Sequence, residues 1–155
     1  MTPSDDVFHT HQQPVWRERA NYVVMAPLSE HHHYEQMWAR QEAEDLFELC
    51  CIPFFAYNLA LGDVVRTETR DGRTHAIAHV VRPSGRWTFR LWLGKSDEDA
   101  LGVETEMLAL GALTEWSSEK LLALDAASKP HAQVLADALA RGAQAGRWMY
   151  ETGRE

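Results

Sequence analysis

The first half of the chain consists of short apolar runs separated by turn-forming residues, a pattern typical of β-strands. The β-branched and aromatic run Ala20–Ala26 predicts a first strand, which a proline ends. Two further strands are expected at Glu35–Gln41 and Leu46–Ile52, with the acidic residues between them as the turn. Because Glu35–Leu49 also contains many helix formers, a helix over this segment is the alternative.

The next segment predicts a packed corner followed by a β-hairpin. Bulky apolar residues crowd together over residues 52–61, and a Gly-Asp pair then turns the chain into the next strand. Strands are expected at Val64–Arg70 and Arg73–Val81, because the Asp71-Gly72 pair between them favours a tight hairpin turn. Glycine at the second position of this pair supplies the positive φ that the turn requires.

In the last part of the chain, apolar positions recur every three or four residues in two segments, which predicts two helices. A strand at Arg86–Leu93 precedes the first helix. Ser96 is expected to cap this helix, and Val103, Met107 and Leu110 are expected to form its apolar stripe.

A second helix is predicted to open at Pro130, after a short strand at Lys120–Asp125. The residues of this helix that are expected to face the core are Val134, Leu135, Ala138 and Leu139. A last edge strand at Arg147–Glu151 follows, so the predicted order from Arg86 onward is β-α-β-α-β.

Together these elements predict an α+β fold. Its first part is expected to be an N-terminal antiparallel β-meander. Its second part is expected to be a split βαβ (ferredoxin-like) half with two helices packed on a mostly antiparallel sheet. Residues 1–14 have no regular period and are expected to be a flexible arm. A single compact domain would then span residues 15–155, mainly β over 15–95 and rich in helix over 96–155.

Charge and composition narrow the functional classes. The formal net charge is −8 and the pI is near 5.4, so no nucleic-acid partner is expected, because phosphates would be repelled. Residues 1–95 carry 10 Lys and Arg against 12 Asp and Glu, whereas residues 96–155 carry 5 against 11. No secretion signal and no apolar run of membrane-spanning length occurs, which predicts no membrane association and a cytoplasmic location.

Three motifs in the middle of the chain resemble those of a known family. They are Ile52-Pro53-Phe54-Phe55-Ala56-Tyr57, Leu61-Gly62-Asp63-Val64-Val65 and Val80-Val81-Arg82-Pro83-Ser84-Gly85. With the order of elements that follows them, they make residues 20–153 similar to the bacterial family called domain of unknown function 4265. The resemblance implies the fold of that family and a cytoplasmic protein, and it supplies no catalytic residues. Cys50-Cys51 and the stretch Ser29–His33 depart from the family pattern.

Several histidines and two cysteines occur without the spacing that a metal site or a catalytic centre requires. The run His31-His32-His33 predicts no metal site, because consecutive histidines rarely point at one centre. His75 and His79 lie too far apart along a strand to share a metal, and both are expected on a polar, solvent-facing side. Cys50 and Cys51 are expected to be buried as small hydrophobes. No catalytic residue and no cofactor-binding motif is identified.

The acidic second half leads to a hypothesis about function. It favours a non-enzymatic protein-binding module, and specifically an immunity-type antitoxin that masks a basic toxin domain, because an acidic face attracts a basic partner. The residues predicted to bind this partner are Asp97, Glu98, Asp99, Glu104, Glu106, Glu115, Trp116 and Glu119. Trp116 is the expected anchor, since tryptophan is frequent in binding hot spots.

Two alternatives from other functional classes stay open. The first is a small-molecule-binding or regulatory domain, whose ligand pocket would be lined by the corner residues Phe54, Phe55 and Tyr57. The second is an enzyme without a recognisable motif, whose acid and base meet only in the folded chain. A thermal shift with a metabolite would support the first, and turnover that one polar substitution abolishes would support the second.

Overall fold

Within residues 5–69 and 71–155, which the computed structural model describes, the chain forms ten β-strands and two α-helices. The elements of the first half are β1 (Val7–His9), β2 (Tyr22–Pro27), β3 (His33–Ala43), β4 (Leu46–Leu49), β5 (Val64–Thr69) and β6 (His75–Arg82). The elements of the second half are β7 (Trp87–Trp92), α1 (Ala100–Ala109), β8 (Leu113–Trp116), β9 (Leu121–Ala126), α2 (Lys129–Gln144) and β10 (Met149–Thr152). The predicted α+β class with mostly antiparallel sheets is confirmed.

Strands β2 to β6 form a meander that closes on itself. Each strand pairs with the next in antiparallel fashion, and β2 pairs with β6 in parallel, so the five strands form a small barrel. The predicted strands Glu35–Gln41 and Leu46–Ile52 correspond to β3 and to β4, which ends at Leu49, and the helical alternative over Glu35–Leu49 is wrong. The predicted hairpin strands correspond to β5 and to β6, which begins at His75, and Arg70 lies outside the described residues. Alternate residues of β3, namely Glu35, Met37 and Ala39, all point inward, and this burial overrides the helix propensity of the segment.

Side chains from alternating strand positions fill the barrel. The buried members of this core are Val24, Ala26, Met37, Ala39, Phe47, Leu49, Cys51, Ala56 and Val65. Cys50 and Cys51 are both fully buried free thiols, as predicted. The prediction of a solvent-facing position is wrong for His75, which is buried because its ring packs edge-on against the rings of Tyr22 and Phe47.

The second half forms a four-stranded antiparallel sheet in the order β10-β7-β9-β8. Both helices pack against one face of this sheet through a shared apolar core. The observed order from β7 onward is β-α-β-β-α-β. The predicted order β-α-β-α-β is therefore wrong by one strand, since it omits β8. Gly111, with a φ of 86°, ends α1 and lets the chain turn directly into this additional strand.

Each helix begins at a side chain that caps its first turn. The cap of α1 is Asp99, whose carboxylate accepts a hydrogen bond from the Gly102 N–H at 3.1 Å, and not the predicted Ser96. Ser128 caps α2, in which Pro130 occupies the first turn as predicted. Neither helix in the described part of the chain has both the length and the apolar character to cross a membrane.

The inward face of α2 differs in part from the prediction. Leu135 and Leu139 are fully buried, as expected, but Val134 is 49% exposed. Ala132 and Gly142 complete the buried stripe instead, because Trp148 packs against the helix at the glycine, where an added Cβ would lie only 2.0 Å from the indole. A helix with so many alanines leaves the position of its stripe weakly determined.

The N-terminal segment belongs to the fold. Strand β1 pairs in parallel with residues 33–35 of β3, and His11 and Pro14 are buried. The prediction of a flexible arm is therefore wrong for residues 7–14. This segment has no apolar period, but its strand pairing and its buried histidine and proline attach it to the barrel. Residues 1–4 lie outside the described residues.

The barrel and the sheet meet at the loop that follows β4. Ile52 and Phe54 of this loop form a small buried cluster with Ala123 of β9, on the sheet face opposite the helices. The loop is therefore covered from both sides, and its polar backbone groups need partners within the protein.

Candidate functional site

Residues 52–57 form a loop whose backbone groups are held by charged side chains. Glu35 of β3 accepts hydrogen bonds from the N–H groups of residues 54–56, at 2.6, 2.9 and 2.9 Å. From the other side, Arg90 of β7 donates to two carbonyls of the same loop, at 2.7 Å from Nε and 2.7 Å from Nη2. The loop is thus clamped between an anion from the barrel and a cation from the sheet, both buried.

His11 joins the barrel to the sheet beside this loop. Its Nε2 lies 2.6 Å from Glu35 Oε2 and its Nδ1 lies 2.9 Å from Glu115 Oε1, with all three side chains almost completely buried. Glu115 of β8 also accepts a hydrogen bond from the Ile52 N–H at 2.5 Å. The imidazole lies parallel to the Phe54 ring, with 3.8 Å between the ring centres. The buried charge cluster is defined as His11, Glu35, Arg90 and Glu115.

Burial and neighbouring charges shift the pKa values within the buried charge cluster in opposite directions. Burial alone would lower the pKa of His11, but Cys51 and the two carboxylates at its ring raise this pKa to about 12. Burial would raise the pKa of Glu35, but His11 and the loop N–H groups lower it below its ordinary value. Burial lowers the pKa of Arg90, which as a guanidinium stays protonated at neutral pH. The His11 ring therefore lies between two buried carboxyl groups, and Arg90 lies near Glu35 and 3.5 Å from Glu151.

The cluster does not form a nucleophilic centre. Cys51 is fully buried beside His11, and burial raises the pKa of its thiol to about 11. His11 is not placed to act as its base, because both ring nitrogens are bonded to carboxylates. Burial likewise raises the pKa of Cys50 to about 12. Both cysteines are therefore neutral thiols at physiological pH.

Most of the predicted acidic residues already have partners within the chain. Glu98 and Glu106 both bind the guanidinium of Arg147, at 2.6 and 2.8 Å, and these hydrogen bonds lower the pKa of each carboxyl. Asp99 caps α1, and Glu104 accepts a hydrogen bond from a threonine hydroxyl of β8 at 2.9 Å. These carboxylates fasten α1 to the elements around it.

The predicted acidic face is wrong at Glu115. This residue is 4% exposed, because alternation along β8 turns it toward the 52–57 loop while its neighbour Trp116 points to the side of the helices. Asp97 and Glu119 are exposed at the surface. The eight predicted residues therefore do not form one continuous face.

An open groove of about 820 Å³ lies between β1 and α1. Its lining includes Phe8 of β1, Leu101 in the first turn of α1, and Trp116 at the end of β8. Glu119 and Lys120 lie in its lining on the turn that follows β8. Two of the predicted partner-binding residues, the tryptophan and the glutamate, thus come together here, and the other six do not line this β1–α1 groove.

The three aromatic residues of the predicted ligand pocket do not share a pocket. Phe54 is buried against His11, and Phe55 is half-buried against the cluster at the loop. Tyr57 is 40% exposed and lines a separate open groove of about 420 Å³. Its hydroxyl donates to Glu151 at 2.6 Å. The corner is therefore mainly core, and its tyrosine is the most exposed of the three aromatic residues.

The histidines near β1 form pairs with neighbouring side chains. His9 Nε2 lies 3.2 Å from His33 Nδ1, and His32 Nδ1 lies 2.9 Å from Asp6 Oδ1. In the part of the chain that the structure describes, no group of three or more His, Cys, Asp or Glu side chains is arranged to hold a metal ion. These pairs connect β1 and the residues beside it to the start of β3.

The profile of a family described as a domain of unknown function, DUF4265, matches residues 35–150 of the 155. The chain belongs to this family. A hypothetical protein from Neisseria gonorrhoeae has a similar crystal structure, with a TM-score of 0.70 and 20% sequence identity, covering 83% of this chain and 91% of that one. At this identity the similarity shows a shared fold alone. No curated protein matches the chain.

The DUF4265 segment contains three of the four members of the buried charge cluster. Glu35 is its first matched residue, and Arg90 and Glu115 lie inside it. His11 lies before the matched segment, at a sequence separation of 24 from Glu35. The cation that binds both carboxylates therefore comes from outside the matched segment.

Sequence analysis missed three members of the cluster. Glu35 offered a signal, since it is the one charged residue at the inward positions of β3 and a buried charge needs a partner. Arg90 alternates with the apolar residues Phe89 and Leu91 along β7, and its side of the strand packs against the 52–57 loop. His11 offered no signal, because it lies in a segment without a period.

Proposed function

We propose that this DUF4265 protein is a non-enzymatic module that binds another protein, and that the β1–α1 groove receives a short segment of that partner. The observation that carries this proposal is the presence of apolar side chains from three separate elements in one groove. Phe8 is 46% exposed, Leu101 is 71% exposed, and Trp116 is half-buried. Single exposed apolar residues are ordinary, whereas several around one concavity are typical of an interaction site.

The position of β1 at the edge of its sheet supports the binding of an extended segment. Among the described strands, β1 pairs with β3 alone, so its other edge is not paired with a strand, and two residues of β1, Phe8 and His9, line the groove. An extended peptide can add to such an edge by main-chain hydrogen bonds. Trp116, which also lines the groove, would pack against an apolar side chain of that peptide, the role of an anchor.

The charge around the groove favours a basic segment. Glu119 lines the groove and Asp99 directly precedes the lining residue Ala100, with Lys120 as the opposing charge. The net charge of −8 over the whole chain adds a long-range attraction for a basic protein. A basic toxin domain fits this charge, so the specific form of the proposal is an immunity-type antitoxin of the bacterial cytoplasm.

The experiment is partner capture followed by binding measurements on two matched variants. The purified chain would be used to capture proteins from its host lysate and from cells that express neighbouring genes. Leu101→Glu places a charge in the groove, whereas Leu108→Glu makes the same change at a 50% exposed position of α1 outside it. We expect the first variant to weaken partner binding about tenfold or more and the second to leave it unchanged.

Each outcome bears on a different part of the proposal. Equal binding by both variants would exclude the groove as the site, and recovery of chaperones alone would exclude a stable protein partner. The antitoxin form requires in addition that the captured partner is toxic when expressed alone and is silenced by this chain. A stoichiometric partner without toxicity would leave a binding module of another kind.

A further inference from the structure

The surroundings of the His11 ring are held in place by bonds that do not involve His11. Three loop N–H groups fix the carboxylate of Glu35, and the Ile52 N–H fixes that of Glu115. The Phe54 ring belongs to the same loop, whose carbonyls bind Arg90. Both carboxylates and the ring are thus positioned by the barrel, the sheet and the loop. A ligand site is preorganised in this way.

The arrangement selects a flat cation with donors on two edges. Carboxylate oxygens face both ring nitrogens of His11, at 2.6 and 2.9 Å, and accept hydrogen bonds only. A neutral imidazole has one N–H and satisfies one of these carboxylates, whereas imidazolium satisfies both. The Phe54 ring lies parallel to the imidazole within 9°, so the site also fits the planar shape of the ligand.

We infer that Glu35, Glu115 and the ring of Phe54 form a binding site for imidazolium, in which His11 is a ligand tethered by the N-terminal segment. Residues 7–14 are then a strap that the site holds in place. Because β1 also lines the β1–α1 groove, occupancy of the site positions one wall of that groove. The inference concerns a different site from the proposed function and does not depend on it.

The test is to remove the tethered ring and supply a free one. The full-length His11→Gly variant leaves a cavity between the two carboxylates, and thermal unfolding is followed at about pH 6, where imidazole is largely protonated. We expect imidazole to raise the melting temperature in proportion to the logarithm of its concentration above the Kd, by about 3 °C or more at ten times the Kd. Pyrazole, which has the same shape and is neutral at this pH, should give no comparable rise.

Three controls separate recognition from cavity filling and from general effects of imidazole. The wild-type chain, whose site is occupied, should show no rise. The double variant His11→Gly with Glu35→Gln should lose the response, because one carboxylate is gone. The His131→Gly variant removes a ring that contacts backbone groups, with Nε2 2.7 Å from the Leu110 carbonyl, and should not respond. Equal responses to imidazole and pyrazole, or none to either in folded His11→Gly, would overturn the inference.

A measurement on the wild-type chain tests the same inference even where the glycine variant fails to fold. Nitrogen NMR of the histidine rings reports whether His11 carries both N–H protons. The titratable groups that face it are Glu35 of β3, Glu115 of β8 and Cys51 after β4, and Arg90 of β7 acts on Glu35 and not directly on the ring. We expect a doubly protonated ring still present at about pH 9, where an ordinary histidine is neutral. A neutral His11 ring at that pH would contradict a site for imidazolium.

Discussion

Carboxylates occur in this protein in two settings that differ sharply. Glu35 and Glu115 are buried between the barrel and the sheet, and both bind His11 and backbone N–H groups. Asp97 and Glu119 are exposed in the acidic second half of the chain. The first pair holds the fold together, whereas the second pair is free to meet solvent or a partner.

The difference follows from what each carboxylate loses on leaving water. A buried anion is stable only when fixed donors and a cation replace its hydration, so its partners become indispensable. An exposed anion keeps its hydration, and its ion pairs contribute little. Counting charges along the sequence therefore does not separate structural carboxylates from available ones. Glu115 and Glu119 are only four positions apart, and yet the first is buried and the second is exposed.

The largest expected effect comes from removing a buried carboxylate. Glu115→Ala leaves His11 with one anion and the Ile52 N–H without its acceptor, so we expect the free energy of unfolding to fall by about 3–5 kcal/mol. Urea denaturation measures this change. The matched control is Glu119→Ala at an exposed position, for which a change within about 0.5 kcal/mol is expected. Similar losses in both variants would remove the distinction between the two settings.

The second prediction concerns pH and the buried pair of His11 and Glu35. The pKa of His11 rises from 6.5 to about 12 on folding, so its contribution is fully present below pH 6.5 and is lost as the pH rises toward 12. The pKa of Glu35 is lowered from 4.5, so its contribution is present above pH 4.5 and is lost as the pH falls through the lowered value.

We therefore expect wild-type stability to fall relative to His11→Gln by about 1 kcal/mol per pH unit above pH 6.5. Urea denaturation of both proteins at several pH values up to about 9.5 provides the measurement. Parallel pH dependence of the two proteins would show that His11 is not charged in the folded state.

The third prediction concerns the paired carboxylates at the surface. Arg147→Ala removes a guanidinium that binds both Glu98 and Glu106. The same guanidinium lies 4.4 Å from the ring centre of Trp148. We expect a loss of about 1 kcal/mol, because such pairs are solvent-screened and part of the effect is lost packing. Added salt should weaken the wild-type contribution. A loss as large as that of Glu115→Ala would place this group with the buried charges.

The smallest expected effect on stability comes from reversing an exposed charge. Glu119→Lys should change the free energy of unfolding by no more than about 0.5 kcal/mol. Under the proposed function it should nonetheless slow association with a basic partner, and more strongly at low salt. Stopped-flow association rates at two salt concentrations measure this. Unchanged rates would separate this residue from partner recognition.

Most elements of the fold could be predicted because local patterns determine them. The hairpin of β5 and β6 has a turn signal at Gly72, which has a φ of 77°, although Thr69 pairs with His75 and the connection is longer than the predicted Asp71-Gly72 turn. The helix α2 has Pro130 in its first turn as its signal. Strand β8 escaped prediction because a four-residue strand has too little alternation to be recognised. The closure of the barrel by the parallel pairing of β2 with β6 also depends on a contact between distant strands, which no single segment encodes.

The candidate site could be predicted only in part. Trp116 and Glu119 were identified from composition, and both line the β1–α1 groove. Phe8 and Leu101 come from separate elements, so their meeting at this groove depends on the packing of the two halves. The buried charge cluster likewise depends on contacts between distant residues, such as His11 and Glu115 at a separation of 104 positions. Residue type alone could not show that Glu115 would be buried in this cluster and not exposed at the surface.

The bond between His11 and Glu115 joins residues 104 positions apart, and this separation affects the order of events during synthesis. At about 5–20 residues per second, a ribosome needs about 5 to 20 seconds to add Glu115 after His11 has been made. Through that interval the barrel strands exist without the second carboxylate, and the 52–57 loop lacks the sheet that covers it. The nascent N-terminal half is therefore exposed to chaperones and proteases until β8 has emerged and the histidine can be enclosed.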